Sequence, residues 1–161
     1  MKRKGIDGKI FSALNRPGNG ILDLFFIWAS EAGLYLYLIA LPAFLIKTKH
    51  AKRNKYLAGM TLTLLFTFLV KYTVKRGRPD GNTILTEATP SFPSGHTALA
   101  FFALGMLRNE MPILSLTSFA VAFSRIYVGA HYPTDVAAGA AVGLIIAEFV
   151  NSNEATVSRE K

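Results

Sequence analysis

Five apolar runs, separated by short polar stretches, dominate the pattern of hydrophobic and polar positions along the chain. Within each run no polar face recurs at helical spacing, which is typical of helices that have apolar surroundings on all sides. About 20 helical residues are needed to cross the hydrocarbon core of a bilayer. The pattern therefore predicts an all-α integral membrane bundle of about five transmembrane helices, over residues 21–46, 56–74, 94–107, 112–124 and 134–150.

Some of these runs are shorter than the roughly 18 apolar residues expected of a single span. They reach spanning length only if their polar ends lie in the membrane interface, so a soluble helical bundle is the alternative fold. The composition favours the membrane, because 51% of the residues are hydrophobic and 17% are charged, against roughly 25% charged residues in soluble proteins.

The composition also divides the chain into three regions. Residues 1–20 mix charges with Pro17 and glycines, which predicts an N-terminal interfacial segment with a short helix rather than a span. Residues 21–150 form the predicted transmembrane domain, in which Gly139 and Gly143 make a GxxxG pair that allows another helix to approach closely. Residues 151–161 are polar and predict a disordered tail.

The net charge of +8 does not indicate nucleic-acid binding, because Lys and Arg flank the apolar runs instead of lining one exposed groove or face. Basic residues in such bands are attracted by anionic lipid headgroups. The basic connector over residues 47–55 predicts a cytoplasmic position. The opposite ends of the helices are then expected on the extracytoplasmic face of the plasma membrane.

Three polar clusters interrupt the apolar pattern, and each lies at the end of a run. Because successive membrane helices alternate in direction, the end of the second run, the start of the third, the end of the fourth and the start of the fifth share one face. We therefore expect the clusters to lie together. They contain, in chain order, Lys71 and Arg78; Ser94, Gly95 and His96; and Arg125, His131 and Asp135.

Taken one at a time, these residues have structural explanations. Basic residues at a helix end commonly extend to the interface, Ser94 stands where a helix N-cap is expected, and Asp135 near a helix start can offset the helix dipole. Taken together, they are the residue types that hold and cleave a phosphate. Three cations neutralise phosphoryl oxygens, a helix start presents amides to an anion, and two histidines suit a nucleophile and a proton donor. The third histidine, His50, lies in the basic connector and is expected to be solvated.

The clusters follow the spacing K-x6-R-P, P-S-G-H and S-R-x5-H-x3-D. This spacing matches, position for position, the signature of the type 2 phosphatidic acid phosphatase superfamily, which the chain resembles from Lys71 to Asp135. The resemblance implies that His131 attacks phosphorus to form a phosphohistidine, that Asp135 holds the imidazole in the right tautomer, and that His96 protonates the departing oxygen. The residues that it implies for phosphate binding are Lys71, Arg78, Ser94, Gly95 and Arg125.

The function that this resemblance implies is hydrolysis of the terminal phosphate of a lipid phosphate or diphosphate. Phosphatidylglycerol phosphate, phosphatidic acid and a polyprenyl diphosphate all fit, and the short chain is similar to the phosphatidylglycerophosphatase and undecaprenyl-diphosphate phosphatase branches. Fixed cations take the place of metal ions in neutralising the phosphate, so no metal or other cofactor is expected. The expected partners are the lipid substrate and the bilayer, without nucleic acid, and the sequence leaves the oligomeric state open.

Two other functions are alternatives at this point. A protein that binds or transports anionic lipids without cleaving them needs the cations but not the two histidines. A vanadate-dependent peroxidase of the same superfamily would share the phosphate-binding residues, although such relatives are soluble. Glu31, an acid inside the first apolar run, is either functional or solvated at the interface.

Overall fold

The computed structural model describes residues 5–43, 50–85 and 87–157. These residues form helices and connecting loops without strands, which confirms the predicted all-α membrane bundle. A π-helical turn at Leu36–Ala40 lies within the second helix. The helices of this part of the chain are α1 (Ile6–Leu14), α2 (Gly20–Ala43), α3 (His50–Val74), α4 (Gly95–Leu107), α5 (Ile113–Tyr127) and α6 (Pro133–Val157).

Three of the described helices are long and apolar enough to cross a membrane, over Gly20–Ala43, Lys52–Val74 and Pro133–Ser152. The helices α4 and α5 are apolar but shorter, which agrees with the short third and fourth runs of the sequence. Large apolar side chains are exposed on the outer faces, among them Trp28 on α2 and Phe68 on α3. Such extensive exposed apolar surface suits contact with lipid, and the chain is an integral membrane protein.

The helix α4 lies at the centre of the bundle, with most of its side chains buried. Its most extensive contact is with α6, where two glycines bring the backbones together. A Cβ atom on Gly143 would lie 2.2 Å from the carbonyl oxygen of Ala98, and one on Gly139 would lie 2.4 Å from that of Ser94. The GxxxG pair that the sequence predicted to allow a close approach therefore joins α4 and α6.

The helix α1 covers the loops at one end of the bundle. The buried ring of Phe11 packs edge-on against Tyr132, with 5.6 Å between the ring centroids. Just after the helix, the side chain of Asn15 donates hydrogen bonds to the main-chain oxygens of Asn82 and Tyr127, at 2.9 and 2.8 Å. The region predicted as an interfacial segment thus contains a helix that is anchored to the bundle.

The ends of two predicted regions can be compared with the helix bounds. The helix α6 continues through Val157, since residues 151–157 contain no Gly or Pro that would end it. Residues 158–161 lie outside the described residues, and disorder there stays a prediction. The first residues of the basic connector also lie outside them, as does the side chain of His50.

Candidate active site

Four helix ends meet at one end of the bundle. Lys71 lies in the last turn of α3 and Arg125 in the last turn of α5. The starts of α4 and α6 are joined by the amide of Ser94, which donates to the main-chain oxygen of Asp135 at 3.0 Å. The charges of Lys71, Arg78, Arg125 and Asp135 are close enough to interact. The three sequence clusters therefore lie together, as their positions at the helix ends predicted.

Ser94 and Gly95 form the start of α4. The hydroxyl of Ser94 accepts hydrogen bonds from the amide of Thr97 at 3.5 Å and from the Thr97 hydroxyl at 2.9 Å. Ser94 thus has the N-cap role that was the structural alternative for this residue. A Cβ atom on Gly95 would meet no atom within 4 Å, so the start of this helix is open on the side of Gly95.

The imidazole of His131 is almost completely buried and lies between a carboxylate and a guanidinium. Its Nδ1 atom is 3.6 Å from Oδ2 of Asp135, which is longer than a hydrogen bond, and this nitrogen has no hydrogen-bond partner. Its Nε2 atom is 3.4 Å from Nη1 of Arg78. The two ring nitrogens of His131 therefore face groups of opposite charge.

Asp135 is fully buried, and both of its carboxylate oxygens accept hydrogen bonds. Its Oδ2 accepts from the amide of Tyr132 at 2.9 Å, as an acidic residue in the first turn of a helix often does toward the residue before the helix. Its Oδ1 accepts from Nη1 of Arg76 at 2.6 Å. Asp135 is therefore held in place by a main-chain amide and by a cation that no sequence motif indicated.

Arg76 in turn links Asp135 to the N-terminal helix. Its Nη2 donates to Oδ2 of Asp7 on α1 at 2.5 Å, and its guanidinium lies 4.3 Å from the ring centroid of Tyr132. Asp7 also accepts from the amide and the hydroxyl of Thr134, at 3.1 and 2.6 Å. Although burial raises the pKa of Asp7, these bonds to Thr134 and Arg76 lower it below its usual value. An ionised Asp7 therefore fixes α1 to the start of α6.

The cations Lys71 and Arg78 are bound to the loop that precedes α4. The Nζ of Lys71 donates to the carbonyl oxygen of Pro90 at 2.6 Å. Arg78 donates from Nε to the carbonyl oxygen of Thr89 at 2.8 Å and from Nη1 to that of Ala130 at 2.7 Å. These bonds orient both side chains by main-chain contacts, while Nη2 of Arg78 is directed to an acid, Glu87, at 2.6 Å.

The guanidinium of Arg125 is completely buried and has acidic and hydroxyl neighbours. Its Nη2 contacts Oε1 of Glu87, and its Nη1 contacts the hydroxyl of Ser30 on α2. Oε1 of Glu31 lies 3.9 Å from the same Nη1. The carboxylate of Glu87 therefore lies between Arg78 and Arg125, the two arginines that the sequence predicted to bind phosphate.

His96 follows Gly95 in the first turn of α4. Its Nε2 atom is buried and has no hydrogen-bond partner. The charges of Glu31, Lys71 and Arg78 act on its imidazole, which places it near the same group of cations as His131. Both histidines of the predicted site thus lie at one end of the bundle, and the ring nitrogen without a hydrogen-bond partner is Nε2 in His96 and Nδ1 in His131.

An apolar groove of about 960 Å³ runs along the outer face between α2 and α5. Phe25, Trp28, Leu116 and Val121 are among its lining residues, and Glu31 contributes the carboxylate. About half of the Glu31 side chain is exposed, and it forms the ion pair with Arg125. Glu31, left undecided by the sequence, therefore lies where this groove meets the cation cluster.

Burial and neighbouring charges keep His131 neutral. Burial lowers the pKa of His131 to about 3, and the positive charges around it act in the same direction, against the opposing effect of Asp135. At neutral pH the ring therefore has an unprotonated nitrogen, which a nucleophile requires.

Residues 53–156 match the PAP2 superfamily. The chain belongs to the PAP2 superfamily. This confirms the family that the three motifs indicated, and the match covers the predicted site residues and nearly all of α3 to α6.

Known proteins that are similar to this PAP2 protein include phosphatases. Undecaprenyl-diphosphatase BcrC of Bacillus subtilis (strain 168) is 33% identical over 152 residues, which cover 86% of this chain and 79% of that protein. The crystal structure of LpxE from Aquifex aeolicus is 27% identical, with a TM-score of 0.85, and the match covers 94% of this chain and 98% of that one. A PAP2-type phosphatidylglycerolphosphate phosphatase from Bacillus subtilis, at 23% identity, has the same fold, with a TM-score of 0.83 and coverage of 96% and 87%.

The PAP2 site contains charged residues that the sequence analysis did not select. Arg76 and Glu87 lie in the polar loop between α3 and α4, and Asp7 lies in the N-terminal segment. None of them is part of a motif, and loop charges are usually solvated. The residues that flank Glu87 are uncharged, so the sequence around it carries no signal of its position in the site.

Proposed function

We propose that this PAP2 protein is a membrane-embedded phosphatase that hydrolyses the terminal phosphate of a lipid through a phosphohistidine at His131. The observation that best supports this proposal is the environment of the His131 ring. A guanidinium has only N–H donors, so the nitrogen that faces Arg78 at 3.4 Å is the one without a proton. The proton then resides on Nδ1, facing Asp135, and Nε2 is the nucleophile.

In the first step, the Nε2 lone pair of His131 attacks phosphorus, and the bond between phosphorus and the lipid oxygen breaks. Protonated His96 gives its proton to that oxygen as the lipid leaves. In the second step, neutral His96 takes a proton from water, whose oxygen attacks the phosphohistidine. Inorganic phosphate departs, and both histidines return to their starting states. Asp135 stabilises the positive charge that develops on the imidazole of His131.

Lys71, Arg78 and Arg125 bind the phosphoryl oxygens in this proposal, and the open start of α4 at Gly95 adds main-chain amides. Charge neutralisation and positioning are the main requirements of phosphoryl transfer. Three fixed cations meet the first requirement, so we propose that activity does not depend on a metal. Ser94 caps α4 with its hydroxyl oxygen, and we propose that the O–H of the same hydroxyl donates to a phosphoryl oxygen.

A polyprenyl diphosphate is the substrate we propose first, because the undecaprenyl-diphosphatase of Bacillus subtilis is similar over most of both chains. Phosphatidylglycerol phosphate and phosphatidic acid are the comparison substrates. The apolar groove that Glu31 helps to line supports a substrate whose chain stays in the lipid phase. We further propose that the protein resides in the plasma membrane, with the site on the extracytoplasmic face and the connector before α3 in the cytoplasm.

A phosphate-release assay on purified protein in EDTA tests the reaction and the substrate class together. The substrates are undecaprenyl diphosphate, phosphatidylglycerol phosphate, phosphatidic acid and a water-soluble phosphomonoester. We expect release from at least one lipid substrate, faster than from the soluble ester. No release with or without divalent cations, together with retained lipid binding, would favour the non-catalytic alternative; halide oxidation with vanadate would favour the peroxidase.

The variant His131→Ala tests the nucleophile, and His50→Ala is its matched control. His50 begins α3, about 30 Å along the helix from Lys71 at 1.5 Å per residue. We expect His131→Ala to lower the rate by about 1,000-fold or more and His50→Ala to leave it unchanged. Release by His131→Ala at the parent rate would refute the assignment.

A further inference from the structure

The inference concerns Glu87 and rests on the proposed function, since it assigns a role to a residue inside the phosphate site. We infer that the Glu87 carboxylate is an internal competitor for this site: it binds Arg78 and Arg125 in the substrate-free protein and is displaced by the phosphate of the substrate. Glu87 thereby sets the affinity for anions.

The geometry of the Glu87 carboxylate resembles that of a bound anion. Its Oε2 accepts from Nη2 of Arg78 at 2.6 Å, and its Oε1 contacts Nη2 of Arg125. Each oxygen thus engages a different guanidinium, as two oxygens of one phosphate would. Arginines bind carboxylates and phosphates through the same N–H groups, so a phosphate that takes Nη2 of both arginines displaces Glu87 from them.

The contact with Glu87 stabilises the positive charge of Arg125, which is completely buried. A buried charge without a partner is strongly unfavourable, and Glu31 on the other side is 3.9 Å away. A phosphate replaces Glu87 favourably for two reasons. Phosphate has a greater negative charge than one carboxylate. It also has more oxygens, and these can bind Lys71 and the amides at Gly95, which Glu87 does not contact.

The loop around Glu87 is anchored on both sides, so the side chain can leave without unfolding the loop. Before it, the amide of Ile84 donates to the main-chain oxygen of Val128 at 2.9 Å. After it, the main-chain oxygens of Thr89 and Pro90 accept from Arg78 and Lys71. The Glu87 side chain is 27% exposed, whereas Arg125 is not exposed at all. Rotation of Glu87 toward solvent therefore frees both arginines while the loop stays in place.

The test measures competitive inhibition by inorganic phosphate, and the KM for the lipid substrate, in the parent and in Glu87→Gln. The glutamine has the same shape but no charge, so it competes less well for the arginines. If the Glu87-bound form outweighs the free form by about 10 to 1, removing it strengthens apparent binding by about 10-fold. We therefore expect both the inhibition constant and the KM to fall by about 10-fold.

Asp80→Asn is the matched control, because Asp80 is an exposed acid in the same loop and its loss changes the net charge equally. We expect this variant to change the inhibition constant much less than Glu87→Gln does. An equal fall in both variants would show a general charge effect and overturn the inference. An unchanged or higher constant in Glu87→Gln would show that Glu87 organises the arginines for phosphate, which also overturns it.

Two further measurements keep the inference testable if Glu87→Gln does not purify as a folded protein or if no substrate turns over. Glu87→Asp retains the charge but is one methylene too short to engage both arginines, so its inhibition constant should lie below that of the parent; an equal or higher value contradicts the inference. Calorimetric binding of inorganic phosphate requires no turnover. A parent that binds phosphate without hydrolysing lipids refutes the proposed function, and tighter binding by the Glu87 variants still supports the competitor.

Discussion

Arg76 donates a hydrogen bond from Nη1 to Oδ1 of Asp135 at 2.6 Å. The other oxygen of Asp135 lies 3.6 Å from Nδ1 of His131, so Arg76 fixes the carboxylate on the side away from the histidine. Arg76 is itself held by Asp7 on α1. The N-terminal helix therefore contacts the histidine through a chain of charged side chains, and we propose that Arg76 is a positioning residue.

The first prediction is that Arg76→Ala lowers kcat by about 10- to 100-fold, because misplacing a catalytic group by about 1 Å has effects of this size. The KM should change little, since Arg76 does not belong to the phosphate-binding cations. Arg76→Lys should restore part of kcat by keeping the charge. Steady-state kinetics with the preferred lipid substrate measure both constants.

Arg16→Ala is the control for Arg76→Ala, because Arg16 is an exposed arginine outside the site. It should retain the parent kcat and KM. If Arg76→Ala raises KM and leaves kcat unchanged, Arg76 acts on substrate binding and the positioning role is wrong.

The second prediction concerns His96 as the proton donor. His96→Ala should lose most activity on a lipid phosphate, whose alkoxide is a poor leaving group without a proton. It should retain much more activity on p-nitrophenyl phosphate, whose leaving group needs no proton. His131→Ala, in contrast, should lose activity on both substrates. Equal losses of His96→Ala on the two substrates would rule out proton donation to the leaving group.

The third prediction is a dependence of stability on pH. Because burial lowers the pKa of His131 from 6.5 to about 3, the unfolded chain binds a proton more readily than the folded one between these values. Stability is therefore unaffected by this group above pH 6.5 and falls as the pH drops toward 3, by at most about 1.4 kcal/mol per pH unit. Thermal unfolding in detergent between pH 7.5 and 4.5 measures the slope.

In His131→Asn, which does not titrate at this position, the melting temperature should fall less steeply over the same pH range. Parallel curves for the parent and this variant would mean that the folded and unfolded chains bind a proton at His131 equally well, which would contradict the lowered pKa.

The fourth prediction concerns the contact between α4 and α6. Gly143→Ala places a methyl group 2.2 Å from the Ala98 oxygen and 2.7 Å from the Phe102 amide, both main-chain atoms that move only with the helix. Overpacking of this kind costs about 1–3 kcal/mol, so the melting temperature should fall. Gly20→Ala, which meets no atom within 4 Å, should retain stability, and equal melting temperatures for the two variants would contradict the packing.

The sequence predicted the helices and the meeting of the motifs well, because both follow from strong signals. Long apolar runs reveal helices directly, and the alternation of their directions places Lys71, His96, Arg125 and His131 at one end. The GxxxG pair likewise has one dominant physical meaning, the close approach of a second helix. These features depend on properties of short segments, which a single sequence displays.

The partners of the site residues could not be predicted, because they depend on contacts between distant segments. Asp7 reaches Arg76 across a separation of 69 positions, and nothing in the interfacial segment distinguishes Asp7 from a solvated acid. Glu87 lies in a loop whose glycines and prolines indicate turns but not which charges face inward. Ser94 differs from Asp7 and Glu87, because the sequence already indicated its role as a helix N-cap and the structure has its hydroxyl in that role.

The most direct test of the account is to trap the phosphorylated enzyme with a lipid substrate labelled with 32P in its terminal phosphate. Rapid quenching in base, followed by proteolysis and mass spectrometry, should locate an acid-labile phosphate on the peptide that contains His131. The label should be absent in His131→Asn and should persist longer in variants that slow hydrolysis of the intermediate. Turnover of the parent without any protein-bound label under these conditions, or label on another residue, would contradict the assignment of His131 as the nucleophile.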